Sequence, residues 1–120
     1  MKKNLYLSQR LNTAEDFSRV LRMHSLRGSC FRIRAVPNNE AQSRLGLIVA
    51  KRAVSRAVDR HRLKRLMREH FRCHWRQLGK MDIVITALPE AVDHSNQEIR
   101  QCLNQLWHKL IKRHGHAAVS

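Results

Sequence analysis

The sequence predicts one α+β domain, a small sheet carrying amphipathic helices. Three observations predict it. From Arg44 to Arg72 the chain opens as a short apolar run, Leu45, Leu47, Ile48 and Val49, and continues as a helix crowded with cations. Cys30 to Val36 alternates, Phe31 and Ile33 on one side and Arg32 and Arg34 on the other, the period of a strand with one wet, basic face. Thr13 with Asp16, and Ser95 with Glu98, carry the capping-box spacing that opens a helix. At 120 residues the chain is large enough for a single core, so residues 1–120 form one domain.

In chain order, residues 1–10 carry Lys2, Lys3 and Arg10 and form a flexible basic arm. The first helix opens at Thr13, with Phe17, Val20 and Leu21 as its apolar stripe. A short extended piece near His24–Arg27 leads through Gly28 to the alternating strand. Pro37 to Ser43 is a turn, and the Leu45–Arg52 strand is expected to return antiparallel to its predecessor. Ser55 is placed to cap the basic helix, which should reach Trp75–Leu78 and stop near Gly79. Asp82 to Leu88 is a buried strand ended by Pro89. Ile99, Leu103, Leu106 and Leu110 recur at helical spacing in the last helix. Its end carries His108, Lys109, Lys112 and Arg113, and residues 113–120 form a second basic tail. The order helix, strands, helix, strand, helix places the helices against one face of the sheet.

Charge narrows the function. There are 24 Lys plus Arg against nine Asp plus Glu, a formal net charge of +15, and Arg outnumbers Lys. Such a balance calls for a polyanionic partner, and guanidinium groups suit bidentate contacts to phosphates. On a wheel of about 100° per residue, Leu63, Leu66, Met67, His70, Phe71, Cys73 and His74 share one side of the long helix. His61, Arg62, Lys64, Arg65, Arg68, Arg72 and Arg76 share the other with Glu69, while Arg60 lies on the border. A merely solvated face mixes signs, whereas crowded like charges cost stability until a polyanion neutralises them. Nucleic acid is therefore the expected partner.

Other classes fit less well. No apolar run approaches the roughly 20 residues of a membrane helix, and Met1 to Ser8 is too short in apolar residues for a signal peptide. Cys30, Cys73 and Cys102 follow no Cys-x-x-Cys pattern and read as reduced, mostly buried thiols of a cytoplasmic protein. The nine acids are scattered rather than clustered as a two-metal nuclease requires. His70 and His74, one turn apart beside Cys73, have a spacing zinc could use, but their place on the core-facing side makes them core or interface histidines. No catalytic residue and no metal site is assigned. A structural RNA-binding protein fits charge and size equally well. A helix-turn-helix DNA binder does not, because strands flank the basic helix.

The run Arg44-Leu-Gly-Leu-Ile-Val-Ala-Lys-Arg52, followed by Arg56-Ala-Val-Asp-Arg-His-Arg-Leu-Lys-Arg-Leu-Met-Arg-Glu-His-Phe-Arg72, resembles the protein subunit of bacterial ribonuclease P. That family shows R-x-G-L-x-V-[AS]-K-[KR], a spacer, and R-N-R-x-K-R-x-x-R-E-x-F-R. Asp16-Phe17, Met81-Asp82-Ile-Val-Ile and Leu103-x-x-Leu106-Trp107 extend the likeness over nearly the whole chain. The resemblance implies an αβββαβα two-layer sandwich, ribosomal-protein-like, of a small mixed sheet and helices with a left-handed βαβ crossover. It implies an RNA-binding helix carrying Arg60, His61, Arg62, Lys64, Arg65, Arg68 and Arg72, extended by Lys51, Arg52 and Arg56. It implies a cleft for the 5′ leader of precursor tRNA, lined by Phe17, Leu21, Phe31, Arg32 and Arg34. The partners implied are the catalytic RNA and precursor tRNA, with Mg²⁺ bound mainly by the RNA and no obligate protein partner. Three positions depart from the pattern: His61 replaces the motif's Asn, Leu21 stands where many relatives have Phe, and Arg34 where some have an aromatic. Leader binding is accordingly expected to be more electrostatic.

Overall fold

The structure, a computed structural model, describes residues 10–11, 13–40 and 42–113. The elements are α1 (Ala14–Leu21), β1 (Leu26–Arg27), β2 (Phe31–Pro37), β3 (Arg44–Ile48), α2 (Ala57–His74), β4 (Met81–Ala87) and α3 (Asn96–Arg113). Short 3₁₀ turns cover Trp75–Leu78 and Pro89–Asp93. The αβββαβα order is the one expected.

The sheet runs β1-β2-β4-β3. β2 pairs antiparallel with β4, Ile33 opposite Ile85, and β3 pairs parallel with β4, Leu45 opposite Ile83. The expected pairing of β3 beside β2 is thus corrected. The two strands run in opposite directions, but β4 lies between them. The physical reason is in β4 itself. Met81 to Ala87 is almost wholly buried, which suits a central strand covered on both faces, and the α2 crossover delivers it parallel to β3. β3 ends at Ile48 rather than Arg52.

Strand parity then divides the molecule. Phe31, Ile33 and Ala35 of β2, Leu45 of β3, and Met81, Ile83, Ile85 and Ala87 of β4 point into the main core with Leu63, Leu66, Met67 and Phe71 of α2 and Ile99, Leu103, Leu106, Trp107 and Leu110 of α3. On the opposite face Val84 packs with Leu11 and Val20, and Phe17, Val36 and Ile48 join them. The expectation of helices on one face is corrected: α1 covers the second face, because Val84 alternates away from the main core and needs cover too.

Local chemistry sets the helix ends. Thr13 Oγ1 accepts from the Asp16 amide at 3.0 Å, and Ser95 and Glu98 cap each other reciprocally at 2.8 and 3.1 Å. Ser55 does not cap α2. The N-cap is Arg56, with no side-chain cap bond. Instead Arg60 reaches back, its guanidinium donating to the carbonyls of Val54 at 3.0 Å and Ser55 at 2.8 Å. At the other end Gly79 takes φ 73°, which ends the turn after α2 at little steric cost. Of the expected N-terminal arm, residues 1–9 lie outside the described residues, but Arg10 bridges to Leu45 and the Leu11 amide donates to the Leu45 carbonyl at 3.0 Å. Arg113 ends α3, and the rest of the C-terminal tail lies outside the described residues.

Cys30 and Cys102 are buried as expected, but Cys73 is exposed. It lies about 80° from Leu63 on the wheel, at the rim of the apolar stripe. The histidines do join the interface of α2 and α3. The Trp107 indole donates to His70 Nδ1 at 2.6 Å, and the His74 ring stacks on His70 with centroids 4.2 Å apart. An indole N–H only donates, so His70 is neutral at Nδ1. Burial, reinforced by His74 and Arg100, pushes its pKa from 6.5 down to about 4. The unfolded chain therefore binds a proton that the folded one refuses, and stability is lost as pH falls from 6.5 toward about 4. Thermal melts across that window should show the decline, and His70→Gln should flatten it. An unchanged profile in the variant would place the decline elsewhere.

Candidate nucleic-acid interface

With Leu63, Leu66, Met67 and Phe71 sealed against the core, α2 must turn its cations outward. His61, Arg65, Arg68 and Arg72 are exposed along it, Lys64 is half-buried, and Lys51, Arg52 and Arg56 are exposed in the turn that precedes it. Arg60 and Arg62 behave differently. Arg60 holds the Val54 and Ser55 carbonyls. Arg62 donates to Asn96 Oδ1 at 2.7 Å and lies 3.4 Å from the Val92 carbonyl, tying α2 to the start of α3. Both hold the scaffold of the patch, a role that spacing alone does not reveal.

The cleft implied by the resemblance falls on the second sheet face, beside α1. Arg32 and Arg34 project there from β2, half-buried, and Arg34 Nε donates to the Met23 carbonyl at 3.1 Å. Leu21 at the end of α1 is 39% exposed. Phe31 is not part of this cleft. It is fully buried in the main core, because residues adjacent in a strand point to opposite faces and Arg32 takes the outer one.

Phe17 sits at the junction of the two regions. A cavity of about 220 Å³ is lined by Phe17 of α1, by Leu45, Gly46 and Leu47 of β3, by Lys64 and Arg68 of α2, and by Arg10 and Leu11. One aromatic ring and three cations therefore share one hollow. The ring lies directly on Gly46, where an added Cβ would stand 2.5 Å from Phe17 Cζ and 3.2 Å from a Leu11 methyl. Gly46→Ala should therefore displace Phe17 and destabilise the protein by about 1–3 kcal/mol, the usual cost of overpacking. Urea unfolding of the variant checks this, and an unshifted midpoint would show that the ring is free to give way.

An ion-pair network behind the cleft escaped the sequence reading. Asp82, on the outer face of β4, is 0% exposed. Arg44 grips it bidentately, Nε to Oδ1 at 2.8 Å and Nη2 to Oδ2 at 2.7 Å, and Asn38 donates to Oδ1 at 2.8 Å. Arg19 of α1 also pairs with Asp82, and Arg44 lies 3.6 Å from Asp16. Burial pushes the Asp82 carboxyl up, but the hydrogen bonds from Arg44 and Asn38 and the charges of Arg44 and Arg19 hold it below the usual carboxylate range. The signal available in the sequence was a lone carboxylate in an otherwise apolar strand, which has to be paired.

A basic helix face joined to a half-covered sheet face defines a small α+β protein of the nucleic-acid-binding class. Residues 5–111 match the sequence profile of the family described as Ribonuclease P. The ribonuclease P protein component of Vibrio cholerae is 41% identical over 104 residues, 86% of this chain and 88% of that one. That of Acinetobacter baylyi is 40% identical over 116 residues, 92% of this chain and 88% of its own. Among solved structures, a Staphylococcus aureus RNase P protein mutant with defective mRNA degradation activity superposes with a TM-score of 0.82 at 27% identity, covering 95% of this chain and 94% of that one. The RNase P protein from Thermotoga maritima, in complex with 1-(4-fluorophenyl)-2-thiourea, superposes with a TM-score of 0.73 at 28% identity, covering 82% of this chain and 96% of its own. The chain belongs to the ribonuclease P protein family. It is the protein component of the endoribonuclease that processes the 5′ end of tRNA, and the ribonuclease P RNA is its partner. No helix among the described residues is long and apolar enough to cross a membrane.

Proposed function

We propose that the chain works through two adjoining RNA-binding surfaces and contributes no catalytic group, and that it does so in the cytoplasm. The outer face of α2 and the turn before it, with Lys51, Arg52, Arg56, His61, Lys64, Arg65, Arg68 and Arg72, neutralises phosphates of the catalytic RNA. Arg60 and Arg62 hold that surface in shape. The groove between α1 and the sheet, with Phe17, Leu21, Arg32 and Arg34, takes the single-stranded 5′ leader of precursor tRNA.

The observation that carries this reading is the hollow in which Phe17 meets Lys64 and Arg68. A nucleotide there can lay its base on the ring while cations hold its phosphate. The acids nearest the groove support the absence of a catalytic group in this chain, since Asp82 and Asp16 are engaged by arginines. Mg²⁺ held by the RNA would supply the metal chemistry of hydrolysis. Affinity of the reconstituted holoenzyme for leader-bearing and for mature tRNA tests the proposal. The chain should raise the first selectively, and an equal rise for both would overturn the leader assignment.

A further inference from the structure

α1 is the short wall of the cleft. It has eight residues, and an isolated helix below roughly 12–15 residues is marginal in water. Its buried apolar contact is small, Val20 against Leu11 and Val84. Around the helix axis Phe17 lies roughly 60° to one side of Val20 and Arg19 roughly 100° to the other. The two flanks have different anchors. Phe17 rests on Gly46 of β3, and Arg19 pairs with Asp82 of β4. Asp82 is in turn immobilised by the Arg44 fork and by Asn38. A helix held only by Val20 could roll, whereas one pinned on both flanks cannot.

We propose that Asp82, acting through Arg19 and backed by Arg44, is a positioning group that fixes the roll of α1 and so the place of Phe17 in the cleft. The network is close to neutral, two carboxylates against two guanidinium groups, so its part is mechanical rather than attractive to RNA. This inference rests on the leader-cleft reading above.

The test uses the reconstituted holoenzyme carrying Arg19→Gln, Asp82→Asn, Phe17→Ala, or Phe17→Ala with Arg19→Gln. Arg19→Gln leaves the buried Asp82–Arg44 pair intact, so it remains informative even if Asp82→Asn does not fold. The readouts are the ratio of precursor to mature tRNA affinity, the affinity for the ribonuclease P RNA, and the cleavage rate at saturating substrate. Arg19→Gln should lower the ratio several-fold with the other two unchanged, and should lower it no further once Phe17 is alanine. An equal several-fold loss in the Phe17→Ala background would mean that Arg19 touches the leader itself, and would overturn the positioning role. An unchanged ratio in Arg19→Gln, with a lowered one in Phe17→Ala, would overturn the positioning role alone. An unchanged ratio in Phe17→Ala would overturn the leader-cleft reading and this inference with it.

Discussion

Phe17→Ala should remove most of the holoenzyme's preference for leader-bearing over mature tRNA while sparing assembly with the ribonuclease P RNA. Phe17 is the aromatic ring in the hollow between α1, β3 and α2. Stacking of one base on such a ring is worth roughly 1–3 kcal/mol, which corresponds to roughly 5- to 150-fold in affinity. The ring belongs to the small second-face cluster of Leu11, Val20 and Val84, not to the main core. Its loss should therefore leave the α2–α3 core, and the cationic surface built on it, in place. Equilibrium binding of the two tRNAs measures the effect, and undiminished discrimination would remove Phe17 from the site. Arg32 and Arg34 should leave a residual preference that fades as salt is raised.

The second large effect belongs to α2. Replacing Arg65, Arg68 and Arg72 together by alanine should weaken assembly with the RNA and flatten its salt dependence. Each lost phosphate contact should lower the slope of log affinity against log salt by about 0.7–0.9, so three should lower it by about 2–3. All three side chains are exposed, so the fold should survive. A weakened affinity with an unchanged slope would indicate a folding defect rather than lost contacts. An unchanged affinity and slope would move the interface off this face.

Much of this arrangement was legible in the sequence. The helix cap at Thr13, the capping box at Ser95, the alternation from Phe31 to Val36 and the apolar stripe from Leu63 to Phe71 are local patterns, and the structure shows each of them, Thr13 with the N-cap bond alone. Legibility ended where a feature depends on partners far along the chain. The place of β4 between β2 and β3 is set by which strand is buried on both faces, and the position of α1 on the second face follows from it. Phe31 was assigned to the cleft through the resemblance, although its own alternation with Arg32 already set it on the core face. The anchoring roles of Arg60 and Arg62 and the Asp82 network need three-dimensional neighbours. In sequence Arg60 and Arg62 look like Arg65, and only the carbonyls and the Asn96 amide oxygen beside them distinguish holding a fold from facing a ligand.

The cofactor role is tested most directly by precursor tRNA cleavage at low magnesium, with this chain alone, ribonuclease P RNA alone, and the two together. Cleavage at the mature 5′ end only in the mixture is the predicted result, because the proposal gives the chain phosphate neutralisation and leader binding and leaves the reacting groups to the RNA. Cleavage by the chain alone would contradict it and would place a catalytic group in the protein.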